Sequence, residues 1–551
     1  MGSIDIKKFS GMQPRSNPRL VPAHVAELAL DVDLDNGTFK AFREPLLVHT
    51  ANAAPLAFAQ LDCCWITSDR CVDYAQPWPS CPYIVETGSA VGYPRIATFA
   101  NACAGTWCRL GNPCPTIAPI ATLLQPAVQD KTMELRSYRY SYVNDLDLEG
   151  GGSPPSLSFN VNDGASVMIQ LPADSPPPEW CTKSIRLYRA GTPFETGAEP
   201  QNPGNTEWFL VVELPIGTTS YLDTKKLLNL GGDEGQIGIF TQEEALPPPA
   251  GLESVVGLEN GMMAGIFEGR VYFSDPFNPQ SWPLRLVKKF YEPAVKLAAV
   301  GSMLYVATTG RPYSIVAKQD SDSKGCTEVY RHRLPMPIVS KRSMVGGTAA
   351  AYYASKNGIV MLRGNEARVI TETVLSKTDF QKLRPNTMIG GMQDNYYYGF
   401  CEQVAFRFRT PETENVDDQN ITYTHLSDRP QAVWTSPQGD LYLAVGREIS
   451  QWNAGNRLRQ ALWRSSVVYS PRRVAYSTAA FVPEAGTKTL EGQLEVEFKG
   501  EKGSYTRKVY DEDPIRLPNW FNVLFVQMEL RGTAEVTEAA MATTIPALIA
   551  A

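Results

Sequence analysis

The stretch Gly257–Tyr313 reads GLENGMMAGIFEGRVYFSDPFNPQSWPLRLVKKFYEPAVKLAAVGSMLYVATTGRPY. An apolar run, Met262–Phe267, reaches Glu268-Gly269, and Arg270–Ser274 leaves it directly. After a Pro- and Trp-rich loop the pattern returns as Val295–Val300, the pair Gly301-Ser302, Met303–Thr308 and then Gly310-Arg311-Pro312. Short apolar or β-branched runs joined by a glycine-containing pair are antiparallel hairpins, because glycine supplies the positive φ that a tight turn needs. Comparable strand starts fall near Val256, Leu297, Val345, Met388 and Val433. Their spacing, about 41 to 48 residues, is that of four-stranded β-propeller blades. Ala349–Ala354 turns at Lys356-Asn357-Gly358 into Ile359–Leu362, and Asp394-Asn395 turns into Tyr396–Cys401. No Trp-Asp pair or other side-chain signature repeats, so the propeller rests on spacing and hairpins alone. Two irregular sandwiches are the competing architecture.

Outward from this centre the chain stays β. Arg136–Asn144 (RSYRYSYVN) alternates polar and aromatic residues as a half-buried strand does. Ser156–Asn160, Val167–Leu171, Ser184–Arg189, Phe209–Leu214 and Tyr221–Asp223 follow, which predicts a compact antiparallel sandwich inserted over 131–245 and closed by the stiff run Pro247–Pro249. Residues 1–130 begin with an arm broken by Pro14, Pro18 and Pro22. Ala23–Asp33 reads as either a short helix or a strand, and Asn36-Gly37 turns into Thr38–Phe42. Pro45–Ala118 alternates aromatic runs with Pro and Gly breaks and has no helical period. Beyond Trp463, Ser465–Tyr469, Val474–Pro483, Glu491–Phe498, Ser504–Val509, Asn522–Leu530 and Glu535–Met541 add strands. They either complete the last blade or make a further sheet, and pairing with N-terminal strands would let distant segments close the ring. The domains are therefore 1–130, 131–245 and 246–551, the last carrying the propeller repeats.

Composition narrows the function. The 551 residues carry a net charge of −7, which disfavours a protein that grips nucleic acid through clustered Lys and Arg. No apolar run reaches the ~18 residues of a membrane helix. The start, MGSIDIKKFSGMQPR, has no apolar signal core, and Ile6 stands where a myristoylation site needs Ser or Thr. These features predict synthesis in a cytosol.

Seven of the ten cysteines, Cys63, Cys64, Cys71, Cys81, Cys103, Cys108 and Cys114, lie close together without a Cys-x-x-Cys. Disulfides are the functional reading and free buried thiols the bland one. His24, His49, His332 and His425 are the only histidines, and no nucleophile elbow, zinc-protease or Walker motif occurs. Gly150–Gly152 is a turn, and the acidic string Asn144–Glu149 lacks a calcium-loop register. Asp417-Asp418 and Asp511–Asp513 read as solvated loops, and Lys288-Lys289, Lys341-Arg342 and Arg472-Arg473 as surface pairs. No residue is assigned a catalytic, cofactor-binding or metal-binding role.

Several phrases, in chain order, resemble one family. Phe9-Ser10-Gly11-Met12 with Pro14-Arg15, Leu20 and Pro22 leads to Asp31–Gly37 and Phe42-Arg43. Trp107–Pro115 resembles a Tyr-x-Leu-Gly-x-Pro-x-Pro segment, from which its Trp and Cys depart. Tyr138–Asn144, Ile185–Arg189 and Tyr221–Thr224 follow, then Asn260–Gly265, Tyr272–Pro276, Ser281–Pro283, Thr308–Tyr313, Tyr353–Val360, Trp463–Ser465 and Ile515–Pro518. Together they are similar to bacteriophage virion structural proteins, in particular the tail nozzle (tail tubular protein B) family of short-tailed phages.

The resemblance implies a propeller-like core with a fibronectin type III-like insert, and a homo-oligomer, in that family a hexameric ring, in the virion tail. It also implies contacts with adaptor and fibre proteins and passage of double-stranded DNA without sequence-specific binding. A propeller depolymerase or glycosidase acting on host polysaccharide through paired carboxylates is the first alternative. A carbohydrate-binding adhesin using the insert is the second.

Overall fold

The computed structural model describes residues 3–17, 20–62, 64–126, 132–173, 175–195, 207–226, 229, 239–241, 245–319, 325–411, 423–483 and 488–549. Pro18, Cys63 and Asp417-Asp418 lie outside them. The protein is mainly β: a propeller-like ring of small sheets, an inserted fibronectin type III-like sandwich, and a second sandwich at the C-terminus.

The ring grows from the hairpins. Glu253–Gly257, Met263–Phe267 and Arg270–Phe273 form one three-stranded blade. Glu268 (φ 49°) and Gly269 (φ 72°) both hold the left-handed backbone that the hairpin turn requires. The next blades start at Ala294, Val345, Ile389 and Ala432, at gaps of about 41 to 51 residues, close to the 41- to 48-residue spacing expected. Two further sheets come from before the insert: the hairpin Ala57–Leu61/Cys64–Ser68, and a four-stranded sheet of Asp73–Ala75, Tyr83–Thr87, Arg95–Thr98 and Cys108–Arg109. The first strand of each sheet packs on the first strand of the next, all the way round, so the described residues form a closed ring of seven sheets. In chain order we number these blades 1 to 7, from the Ala57 hairpin to the sheet that starts at Ala432.

Blade 7 contributes Ala432–Thr435, Leu441–Val445 and Glu448–Gln451, and its fourth strand is Leu46–Thr50 from the N-terminal segment. The outer strand of blade 6, Tyr423–Leu426, meets Val25–Leu30 in parallel. Val25–Leu30 then pairs with Ala461–Ser465, so the blade 6 sheet runs on into the C-terminal sandwich. The stretch 23–33, open between helix and strand, is thus strand. Pro45–Ala118 contains one short helix, Phe99–Cys103, whose N-cap is Thr98; five residues are too few to display a helical period.

The insert stacks a sheet of Thr132–Asn144, Phe159–Asn162, Thr182–Glu195 and Phe209–Pro215 on one of Ile120–Gln125, Ser166–Gln170 and Ser220–Asp223. Its first strand thus comes from before residue 131. Tyr138, Tyr140 and Tyr142 face inward, as the alternation demands. Arg136 shares their phase and is fully buried, with Glu134, Arg189 and Asp223 around it. Arg189 Nη1 reaches Asp223 at 2.9 Å, Tyr138 Oη donates to the same carboxylate at 2.7 Å, and Arg136 pairs with Glu134.

The N-terminal arm anchors the C-terminal sandwich. Phe9 is fully buried, edge-on to Trp463 at 4.9 Å, and Trp463 Nε1 donates to Ser10 O at 3.1 Å. A Cβ at Gly11 would lie 2.7 Å from the backbone N and O of Tyr423. Phe9→Ala is expected to cost about 3–5 kcal/mol, read as a lower urea midpoint; an unchanged midpoint would mean the arm carries no stability.

His332 is 2 % exposed, with Nε2 2.8 Å from Ser314 Oγ. Burial pushes its pKa down to about 4, and burial with Arg429 nearby does the same for His425. Unfolded, each titrates near ~6.5, so the unfolded chain binds the extra proton first. Stability is then full above about pH 6.5 and falls as pH drops toward ~4, by roughly 3 kcal/mol for His332. Thermal unfolding at pH 7 and 4.5 should show His332→Gln losing less on acidification than the native chain; equal losses would remove His332 as a cause.

Candidate functional site

A cleft of about 550 Å³ lies between blades 1 and 2. Trp65 and Arg70 border it on one side, Trp107 and the end of the Phe99–Cys103 helix on the other, and Tyr74, Glu86 and Arg95 lie within. Strand register assembles this group. Tyr74 stands opposite Glu86, Glu86 opposite Arg95, and Arg95 opposite Arg109, giving one cross-strand row on one face of blade 2.

The row is tied from end to end. Glu86 is 4 % exposed and accepts from Arg95 Nε at 2.8 Å and from its Nη2. Burial, then the Glu86 carboxylate, pushes the Tyr74 phenol up, so its proton stays on the oxygen facing Glu86. Trp107 lies 5.6 Å from the Arg95 guanidinium. Arg109 sits over Trp180 at 4.0 Å and Tyr93 at 4.9 Å, which carries the row into the insert.

Two disulfides brace the region. Cys64–Cys103 joins blade 1 to the helix across the cleft, and Cys108–Cys181 joins blade 2 to the insert. Both use the cysteine-rich stretch, but the second reaches Cys181, well outside it. Cys71, Cys81, Cys114 and Cys401 are free thiols. Chemically, the cleft offers aromatic walls and a polar floor. Glu86 is committed to Arg95 and Tyr74, which leaves exposed Asp69 as the other carboxylate bordering the space.

The axial end of the ring is laced by polar side chains. Asp73 pairs with Lys296 and accepts from Ser254 N at 3.0 Å, so blades 2, 3 and 4 are joined. Lys341 reaches Glu253 at 2.7 Å. Arg342, from the turn before blade 5, donates to Leu56 O at 3.4 Å and to Gln431 O, beside blades 1 and 7. It is half-buried, and burial lowers its pKa. Arg342 is therefore a spoke between blades, while Lys341 stays exposed.

Several of the other stretches weighed from sequence also have structural partners, while Asp511–Asp513 is exposed. Asn144 Oδ1 accepts from Leu146 N and Leu148 N, both at 3.0 Å, and Glu149 takes Arg186 at 3.0 Å and Tyr188 at 2.7 Å. Gly151 has no room for a Cβ, with Ala245 O at 2.5 Å. Arg473 donates to Asn522 O at 3.1 Å. Among the described residues no group of three or more His, Cys, Asp or Glu is placed to hold a metal ion, and no helix is long and apolar enough to cross a membrane.

No protein-family model matches the chain, and no curated protein matches it. Among solved structures, virginiamycin B lyase from Staphylococcus aureus aligns at a TM-score of 0.25 with 12% identity, over 61% of this chain and 99% of that one. PorZ, a surface component of the type-IX secretion system of Porphyromonas gingivalis, aligns at 0.25 with 10% identity, over 85% and 82%. Neither likeness carries an activity or substrate to this chain.

Peptide mapping without reductant should recover the linked pairs Cys64–Cys103 and Cys108–Cys181. Iodoacetamide on the folded protein should label exposed Cys71 first. Burial holds the Cys81 and Cys401 thiols up at about 11 and about 12, so they should react only after denaturation. Four alkylated thiols at positions 64, 103, 108 and 181 in the unreduced sample would rule the bridges out.

Proposed function

We propose that this chain is a structural subunit of a bacteriophage tail, of the nozzle kind, assembled with copies of itself into a ring around the path by which DNA leaves the particle. The observation that carries this reading is where the resembling phrases lie. Phe9-Ser10-Gly11 and Trp463-Arg464-Ser465, more than 400 residues apart (about 450 in sequence), form one buried joint. Phe42 contributes to another, stacked 4.5 Å from the Arg407 guanidinium. Of the resembling phrases only Trp107 borders the cleft between blades 1 and 2; phrases that mainly brace a fold fit a mechanical part better than a catalytic one.

Two further points support it. The propeller axis is crossed by Arg342 and the Asp73–Lys296 and Lys341–Glu253 pairs, so a duplex would pass between copies and not through one ring of blades. A net charge of −7 spares such a path the counterion-release affinity that would retain DNA. The partners are then other copies, adaptor and fibre proteins, with the chain made in the host cytoplasm and its bridges formed in the oxidising surroundings of the released particle.

Electron microscopy of the purified chain tests this. Uniform rings with a duplex-wide bore, and labelling of particle tails by an antibody to the chain, are the expected results. A permanent monomer that degrades host polysaccharide, and stops doing so in Asp69→Asn, would replace the structural reading with the depolymerase.

A further inference from the structure

Every open sheet has edges, and natural proteins keep stray chains off them with charge, proline or cover. Most outer strands here follow that rule. Gly503–Asp511 carries Arg507 and Lys508, Gly325–Arg331 carries Glu328, Glu366–Val369 carries Arg368, and Phe209–Pro215 carries Glu213. Blade 1's Cys64–Ser68 has no charge, but the Phe99–Cys103 helix packs on it and a disulfide holds the two together.

Two apolar edges break the rule among the described residues, whereas the uncharged outer strand Phe159–Asn162 carries two asparagines. Leu46–Thr50 (LLVHT) is the outermost strand of blade 7, and Leu46, Leu47 and Val48 are 43 %, 51 % and 37 % exposed. Ile120–Gln125 (IATLLQ) is the outermost strand of the insert's three-stranded sheet, with Ile120, Leu123 and Leu124 at 62 %, 42 % and 52 %. Neither strand contains an acidic residue, Lys, Arg or Pro. Each has one bulge against its inner neighbour, at Val48 and at Leu124, which leaves Leu46-Leu47 and Ile120–Leu123 as the straight part of each edge.

The two edges match each other. They are five and six residues long, uncharged and apolar, and each has a full row of backbone donors and acceptors with no strand beside it. They sit on different modules, the propeller rim and the insert. A contact between two different patches on identical chains is heterologous, and such contacts repeat head to tail until a rotation closes them. We propose that strand Leu46–Thr50 of one copy pairs with strand Ile120–Gln125 of the next, joining the propeller rim to the neighbour's insert by β-augmentation. The occupant of each edge is thus a second copy of this chain. The inference rests on the self-assembling reading above and names its interface.

The test uses the full chain with Leu47→Lys or Leu124→Lys, each placing a charge on one edge. Mass photometry should find the native chain in assemblies and each variant alone as monomer. An equimolar mixture should give dimers and nothing larger, because one variant keeps only the insert edge and the other only the rim edge. Val48→Lys and Ile120→Lys repeat the comparison if either first variant fails to fold by circular dichroism. A mixture that stays monomeric, or a variant that assembles like the native chain, overturns the pairing while leaving self-assembly standing. A native chain that is monomeric at every concentration overturns both.

Discussion

A ring of sheets can be closed only by residues far apart in sequence, and here the first fifty residues do that work. Leu46–Thr50 completes blade 7, and Val25–Leu30 bridges blade 6 to the C-terminal sandwich. Without the first strand blade 7 would have three strands, and without the second the sandwich would lose the sheet connecting it to the ring. Propellers gain from such closure because an open ring would leave inner strands unpaired and apolar faces wet. The aromatic lock of Phe9 on Trp463 fixes the arm that delivers both strands.

Where modules meet, charge takes the place of extra apolar area. Arg459 reaches Asp428 at 2.8 Å and Asp31 at 3.3 Å, while Ser427 N donates to Asp31 at 3.0 Å. Arg407 reaches Asp33 at 2.6 Å and Asp35 at 2.8 Å, with its guanidinium 4.2 Å from the Tyr396 ring. Burial raises the Asp35 pKa, and Arg407 opposes that rise. Pairs of this kind add little beyond what apolar packing would give, yet removing one partner strands the other at a cost of about 3–5 kcal/mol. Their geometry also fixes one orientation of arm, ring and sandwich, which apolar contacts alone would define less sharply.

The sequence was most legible where structure is local. Turn pairs such as Glu268-Gly269 and Asp394-Asn395 adopt the positive φ that their types suggested, and the repeat spacing located the inner strands of blades 3 to 7. Blades 1 and 2 were only aromatic runs, because cysteines and prolines blur their period. The cleft was hidden for a different reason. Tyr74, Glu86 and Arg95 come from three strands, and only their register brings them into one row. The buried charges of the insert did leave a signal, since Arg136 occupies the inward phase of RSYRYSYVN where an aromatic would be expected. The partner of that arginine on a distant strand, Asp223, could not be inferred from the phase alone.

The closing strand of blade 7 has a consequence in time. During synthesis Leu46–Thr50 emerges early, while its partner Glu448–Gln451 follows only about 400 residues later, which at ~5–20 residues per second is roughly 20–80 s. For that interval an uncharged apolar segment must wait unpaired on the growing chain. Folding of this protein is thus limited from the start by translation, and its most vulnerable species is a nascent chain holding an open ring, whose natural protectors are a chaperone or the speed of the ribosome.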